Sequence, residues 1–263
     1  MEADMIEARA IYVVTLRELI KLGRQKTGLI NTFVRPILWL FVVGSGLSQI
    51  VRGGGPVSYK QFMFPGVMGM VILFSSVFSS ISIIWDREFG FLREILVAPV
   101  SRLSIVIGKA ISGTITSSAQ AAVIMIFLPL LGIQVAFPQL LGLLALAMLL
   151  SFALTSLGIL IAAHLETFGV FNVIMNLLVM PLFFLSGAIY PVNLLPWWLR
   201  WLARCNPLTY GVDAFKNVLL PRAGIEGHGS LGAEFALGQD IAVVALFSLA
   251  MIVLAVHSFR QIE

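Results

Sequence analysis

The chain has 263 residues, of which 59% are hydrophobic and only 11% are charged, with a mean hydropathy of +0.99. Soluble domains carry about 25% charged residues, so this composition excludes an ordinary soluble fold and predicts a polytopic membrane protein. The net charge of +4 does not indicate a nucleic-acid binder, because lysines and arginines stand at the ends of apolar runs. The single cysteine, Cys205, excludes an intramolecular disulfide and a multi-cysteine metal site.

Residues 1–27 predict an amphipathic helix. Apolar and basic residues recur there at helical spacing in two stripes, and Arg17, Lys21 and Arg24 belong to the basic one. We expect this interface helix to lie in the headgroup plane with its bases near the acidic leaflet. A solvated helix that merely carries topology charges is the alternative. Acidic residues precede any long apolar run, so we expect no cleavable signal peptide.

Six apolar runs are each long enough for a helical span of about 20 residues. They are 30–51, 61–84, 104–131, 139–163, 168–190 and 239–259. The sequence therefore predicts an all-α polytopic membrane protein with six transmembrane helices. Most of the 17 lysines and arginines fall on the face that holds both termini, the 85–109 region and the turn at 164–167. Positive charge marks the cytoplasmic side, so both termini are predicted to be cytoplasmic.

The long connection 186–238 is unusually apolar and aromatic for an external loop. Trp197, Trp198 and Trp201 stand close together in it, interspersed with arginines. An indole is apolar in its body and polar at its N–H, so these residues are predicted to anchor the segment at the membrane interface. A tryptophan box for a ligand is the alternative. We expect short re-entrant helices that dip into or lie on the outer leaflet, followed by a glycine-rich external loop.

One charged island, Trp85 to Arg102 (WDREFGFLREILVAPVSR), separates two apolar runs. It is too charged for lipid and too apolar for a plain solvated loop, so we expect a docking element at the membrane surface. A short helix here could present Phe91 and Ile95, at i and i+4, to a groove on a soluble partner. A juxtamembrane loop with stop-transfer charges is the alternative.

The island also resembles a family signature. The matching residues are Glu88-Phe89-Gly90, Leu92, Arg93-Glu94, Leu96, Ala98-Pro99 and Ser101-Arg102. This run is similar to the signature loop of type-2 ABC exporter permeases (the ABC-2 transporter family), especially the daunorubicin-resistance and nodulation-factor export branch. A second similar run comprises Ser186-Gly187, Pro191, Asn206-Pro207-Leu208-Thr209-Tyr210 and Asp213. The resemblance covers nearly the whole chain as a single transmembrane domain, 1–263.

The resemblance implies a permease half of the bacterial inner membrane that pairs with a second copy of itself or with a related permease. Each copy would dock on a cytoplasmic ABC ATPase, which binds ATP and Mg, so that no cofactor is expected in this chain. The pathway would lie between the copies, and transport would be outward. The implied coupling residues are Glu88, Phe89, Gly90, Phe91, Leu92, Arg93, Glu94, Pro99 and Arg102.

Polar side chains inside the predicted spans are candidates for the pathway or the dimer seam. Ser79 and Ser82 lie in or beside the second run, and Asn172 and Asn176 are spaced i, i+4 in the fifth. Such groups also bind their own helix backbone or join helices, and this alternative stays open. We expect no ionised residue near the bilayer midplane, which argues against a proton- or sodium-coupled carrier.

No catalytic pattern accompanies these features. The phosphate-binding pattern GxxxxGK[ST] does not occur, and three histidines make a zinc centre improbable. The chain is therefore predicted not to be an enzyme by itself. The resemblance implies that it moves an amphipathic or lipid-linked solute such as a drug, lipid or glycolipid. The alternatives are a polysaccharide or O-antigen export permease and, in another class, a membrane scaffold or intramembrane enzyme.

Overall fold

The computed structural model describes residues 2–24, 34, 36–50, 58–90, 101–220 and 232–260, and their secondary structure is all helical. The predicted all-α class is confirmed. The helices are α1 (Glu2–Arg24), α2 (Gly44–Ile50, preceded by a π-helical stretch Trp39–Val43), α3 (Tyr59–Ser79), α4 (Ile81–Glu88), α5 (Arg102–Met125), α6 (Phe137–Ala163), α7 (Phe168–Phe184), α8 (Trp197–Cys205), α9 (Pro207–Leu219) and α10 (Leu237–Arg260). Short 3-10 turns occupy Pro129–Leu131 and Val192–Leu194.

Three helical stretches within the described residues are long and apolar enough to cross a bilayer. They are Tyr59–Glu88, which joins α3 and α4, Phe137–Ala163 and Leu237–Phe259. Each of the six predicted apolar runs contains a helix. The count of six spans stays a prediction.

Local side chains explain where several helices begin. Ser58 and Gln61 form a reciprocal capping box at the start of α3. The hydroxyl of Ser101 accepts a hydrogen bond from the Ser104 N–H at the start of α5, and Thr167 caps α7 in the same way. The turn 164–167 therefore separates α6 from α7 where the sequence predicts a boundary.

α3 lies in the core of the bundle, and every residue from Phe62 to Leu73 is buried. It packs against α5, α6 and α9, whereas α10 is largely exposed. Small residues permit this packing. A Cβ added at Gly113 of α5 would lie 2.5 Å from both the Ser79 Oγ and the Thr155 Cγ2, so three helices meet there at backbone distance.

The N-terminal helix α1 packs on the start of α5. The Thr15 hydroxyl donates to the Gly108 carbonyl at 3.1 Å, and a Cβ added at Gly108 would lie 3.0 Å from Val14. On another face, Tyr12 and Ile20 are among several exposed apolar side chains. α1 thus has one face on the protein and one exposed apolar stripe, and its position in the headgroup plane stays a prediction.

The connection between α7 and α10 contains the short helices α8 and α9. Trp197, Trp198 and Trp201 are exposed on α8. Arg200 instead donates to the carbonyls of Asn193 and Leu195. The indoles therefore face away from the protein, while Arg200 binds the backbone that precedes α8. Membrane anchoring by the tryptophans stays a prediction.

Candidate coupling site

The charged island begins at the end of α4, and we call this end of the bundle the inner end. Glu88, Phe89 and Gly90 are exposed there, Phe89 to 76%. Gly90 has φ +78°, a left-handed conformation that ends the helix and favours glycine. α4 thus ends at an exposed surface. Phe91, Leu92, Arg93, Glu94 and Pro99 lie outside the described residues.

A buried ion cluster lies one helical turn before Gly90. Asp86 Oδ2 accepts hydrogen bonds from Lys109 Nζ of α5 at 2.6 Å and from Arg17 Nη2 of α1 at 2.7 Å. Glu18 Oε1 accepts from the same two groups, at 3.2 Å from Lys109 and 2.9 Å from Arg17. Lys109 also donates to Ser82 Oγ at 3.1 Å. We call these five residues the inner cluster.

The inner cluster is neutral and largely removed from solvent. Its two cations balance two anions, and the side chains of Lys109 and Asp86 are only 3% and 6% exposed. Burial raises the pKa of Glu18, but Lys109 and Arg17 outweigh it and leave that pKa below its ordinary value. Removal of one partner from such a group is costly because it leaves a buried charge without compensation. The cluster therefore fixes α1, α4 and α5 relative to one another.

Neighbouring residues tie α4 to two further elements. Arg87 donates to the Leu165 carbonyl at 2.7 Å and to the Ala163 carbonyl at 3.1 Å. These carbonyls lie at the C-terminal end of α6, where the helix leaves acceptors unpaired and favours a cation. Trp85 stacks on Phe168 of α7, and Lys21 lies 4.9 Å from the Trp85 ring centroid.

The far end of the island is anchored as well. Glu7 of α1 accepts hydrogen bonds from the Ser101 hydroxyl, at 2.6 Å, and from the Ser104 hydroxyl. These bonds, that of Ser101 first, hold the pKa of Glu7 below its ordinary value. Arg102 donates to the Phe259 carbonyl near the end of α10 at 2.9 Å. Ser101 and Arg102 are thus anchored to α1 and α10.

Comparison with known proteins gives the family. Residues 9–220 match the family model described as ABC-2 type transporter. The chain belongs to the ABC-2 type transporter family.

This ABC-2 permease is similar to several curated proteins, and the match spans most of some relatives and part of others. A protein named putative transport permease ycf38 from Cyanophora paradoxa is 31% identical over 91% of this chain and 85% of its own. Nodulation protein J from Rhizobium leguminosarum bv. trifolii is 28% identical over 78% of this chain and 79% of its own. The probable multidrug ABC transporter permease YbhR of Escherichia coli K12 is 29% identical over 65% of this chain and 46% of its own.

The remaining predicted site residues of this ABC-2 permease lie in two different settings. Ser82 belongs to the inner cluster, and Ser79 donates to the Ser76 carbonyl beside Gly113. Asn176 lies on an exposed face of α7, and Asn172 beside it is partly buried. Each asparagine donates to the carbonyl four residues earlier, at 2.9 Å and 3.2 Å respectively. The serines are therefore packed between helices, whereas Asn176 faces outward.

The structure also locates ionisable groups that the sequence did not single out as buried. Lys216 and Asp213 of α9 and Asp240 of α10 are buried near the second family-like run. The Asp213 carboxylate accepts both the Glu234 and the Phe235 N–H at 2.8–3.0 Å. The spacing of Asp213 and Lys216, one helical turn apart in an apolar stretch, is the signal that could have identified them. Their end of the bundle is called the outer end below.

Proposed function

We propose that this ABC-2 permease is the membrane-spanning half of an ATP-driven exporter that pairs with a second copy and couples to a separate cytoplasmic ATPase. ATP and Mg would bind to that partner chain. The observation that carries the proposal is that Glu88–Gly90, at the end of α4, are exposed directly beside the inner cluster. Because the end of α4 is fixed to α1, α5 and α6, a force applied at Glu88–Gly90 passes into the bundle.

The proposed membrane arrangement has six spans with both termini and the inner end in the cytoplasm. The excess of lysine and arginine on that face supports the orientation. It leaves α8 and α9 at the outer leaflet as the re-entrant helices, with Trp197, Trp198 and Trp201 as interfacial anchors. The exposed position of the three indoles suits that role.

We assign the dimer seam and the pathway wall to the outward face of α7. Only one stripe of this helix, Phe171, Met175, Val179 and Phe183, is buried in the protomer. The amide of Asn176 lies outside that stripe. An amide that faces lipid lacks external partners, so a second copy or a polar part of the solute is the more favourable neighbour.

The proposed solute is amphipathic or lipid-linked. Among the relatives, one name carries the word multidrug and another the word nodulation. The described pathway-facing surface of α7 combines apolar side chains such as Val173 and Leu177 with the two amides. Such a mixed surface suits a molecule with both apolar and hydrogen-bonding parts.

Affinity purification of the tagged full chain from membranes in mild detergent tests the proposal. We expect a soluble chain that hydrolyses ATP to co-purify, and expect Glu88→Arg or Arg93→Glu to abolish its recovery while membrane insertion is retained. Glu166→Arg, in the neighbouring turn between α6 and α7, is a matched charge reversal that should keep most of the partner. Absence of an ATPase even after crosslinking would refute the proposal.

A further inference from the structure

The end of α7 and the turn that follows it at the outer end are held by side chains from two other parts of the chain, α3 and α9 with its N-cap. Carbonyls between Leu182 and Ile189 accept a series of long-range hydrogen bonds. The donors are Asn206 to Leu182 at 2.7 Å, Thr209 to Leu185 at 3.2 Å, Lys216 to Gly187 at 2.7 Å and Tyr59 to Ile189 at 2.8 Å. Non-helical backbone at membrane depth requires such partners. The family-like residues Asn206 and Thr209 thus have a defined structural task.

Lys216 is the charged member of this set. Its side chain is buried, and its Nζ lies 4.3 Å from the ring centroid of Phe62 in α3. Burial lowers the pKa of Lys216 to about 8, while Asp213 opposes that shift. In its ammonium form Lys216 makes a charge-assisted bond to the Gly187 carbonyl. Lys216 joins α9, the turn and α3 at one point.

Close packing supplements these bonds. A Cβ added at Gly66 of α3 would lie 2.5 Å from the Ala188 Cβ and 2.6 Å from the Ala188 backbone. A Cβ added at Gly69 would lie 2.6 Å from Val212 of α9. α3 therefore touches both the turn and the following helix. We call the contacts of Tyr59, Phe62 and Gly66 with the turn and Lys216 the outer latch.

The helix that carries the outer latch is continuous with the one that carries the inner cluster. Tyr59–Glu88 forms a single 30-residue apolar stretch, interrupted only by the turn at Ser80 between α3 and α4. At 1.5 Å per residue its ends are about 45 Å apart. Phe62 lies in the latch, whereas Asp86 lies in the cluster. One helical rod thus connects the exposed end of α4 to the outer turn.

We propose that α3 and the outer segment 186–219 move as one body, with Lys216 and Tyr59 as the positioning residues that keep them together. A displacement applied at the exposed end of α4, Glu88–Gly90, is then carried through Asp86 and the α3–α4 rod to the outer turn. This inference rests on the proposed exporter function. It adds that movement of the outer turn is driven from within the same protomer, through the backbone carbonyls of Gly187 and Ile189.

The native cysteine provides a probe for this movement. Cys205 is exposed at the end of α8, inside the outer segment. Spin labels on Cys205 of both copies report the distance between copies. A second label at Lys60→Cys on α3, in dimers diluted with unlabelled chain, reports the distance within one copy. Both distances are measured by pulsed electron resonance on the full chain with its ATPase, without nucleotide and with ATP trapped.

We expect ATP trapping to shift the distance between the two copies and to leave the Cys205–Lys60 distance unchanged. In Lys216→Met, or in the milder Tyr59→Phe, a second and longer Cys205–Lys60 population should appear, and Lys216→Arg should suppress it. Lys109→Met removes the buried lysine of the inner cluster instead. That control should abolish the shift between copies without widening the Cys205–Lys60 distribution.

Three results would overturn the inference. The first is a Cys205–Lys60 distance that shifts with ATP in the chain without latch substitutions. The second is a distance between copies that ATP does not change although the ATPase is bound. The third is a Cys205–Lys60 distribution that neither Lys216→Met nor Tyr59→Phe affects. Failure of the proposed function is recognised separately, because no ATPase then co-purifies. In that case Lys216→Met and Tyr59→Phe still test, in the chain without an ATPase, whether the outer latch holds α3 to the outer segment.

Discussion

Two buried lysines lie at opposite ends of the same helical rod and are held in different ways. Lys109 contacts two carboxylates, Asp86 and Glu18, in the inner cluster. Lys216 instead donates to the backbone carbonyl of Gly187 and lies over the Phe62 ring. The inner end is therefore held by pairs of opposite charges, and the outer end by side chains that bind backbone and by close packing.

The difference indicates what each end tolerates. The stability of an ion cluster depends on equal numbers of positive and negative charges. Neutralising one member therefore leaves another charge buried without compensation. A carbonyl contact depends on shape, so a small intruding group displaces it even when every charge is kept. The inner end is thus expected to respond to charge and acid, and the outer end to steric changes.

The largest effect is expected from Lys109→Met. It leaves one cation, Arg17, for the two buried carboxylates, and should lower the free energy of unfolding by about 3 kcal/mol. Titration with a denaturing detergent measures this change. Adding Asp86→Asn to Lys109→Met should recover part of the loss, because it removes an uncompensated charge.

A matched control separates charge pairing from lysine packing in general. Lys60→Met replaces a half-buried lysine at the outer start of α3 and should change stability by no more than about 0.5 kcal/mol. Equal losses in Lys60→Met and Lys109→Met, or no recovery in the double variant, would contradict the assignment of the inner cluster as an electrostatic anchor.

A smaller effect is expected from Gly66→Ala at the outer end. The new methyl group would lie 2.5–2.6 Å from the Cβ and backbone of Ala188, which cannot rotate away. We expect a cost of about 1–3 kcal/mol, measured as a lower apparent Tm in detergent. Gly46→Ala is the matched control, since nothing lies within 4 Å of a Cβ there. A Gly66→Ala chain as stable as Gly46→Ala would show that the latch is loosely packed.

The smallest effect is a loss of α1 docking in acid. The pKa values of Glu7 and Glu18 both lie below the ordinary 4.5 in the folded chain. Their stabilisation is therefore complete above that pH and is lost as the pH falls through the lower folded-state values. At the outer end burial raises the pKa of Asp213, despite the N–H groups of Glu234 and Phe235, so acid does not remove stability by that route.

Hydrogen exchange, corrected for the intrinsic rate at each pH, measures this contrast. α1 should lose protection at a pH where α9 keeps it, and Glu7→Gln should reduce the pH dependence of α1. Simultaneous loss of protection in both helices would indicate global unfolding and contradict a local acid response at the inner end.

Part of the candidate site followed from sequence. The charged island was predicted as a docking element, and its described residues Glu88, Phe89 and Gly90 are exposed at the end of α4. Arg17 and Lys21 were predicted to meet the headgroups of the leaflet. In the structure they contact Asp86 and the Trp85 ring, because the face of α1 that carries them packs against the bundle.

The sequence by itself determined the all-α class, the positions of the helices and the ABC-2 family, because these depend on local runs of apolar residues and on short motifs. Only the tertiary structure decided which charges meet. Arg17 reaches Asp86 across 69 positions, and Lys216 reaches Gly187 across 29. Helical periodicity specifies which residues share a face of one helix. The partner of each face depends on how small residues such as Gly66 and Gly108 let the helices approach.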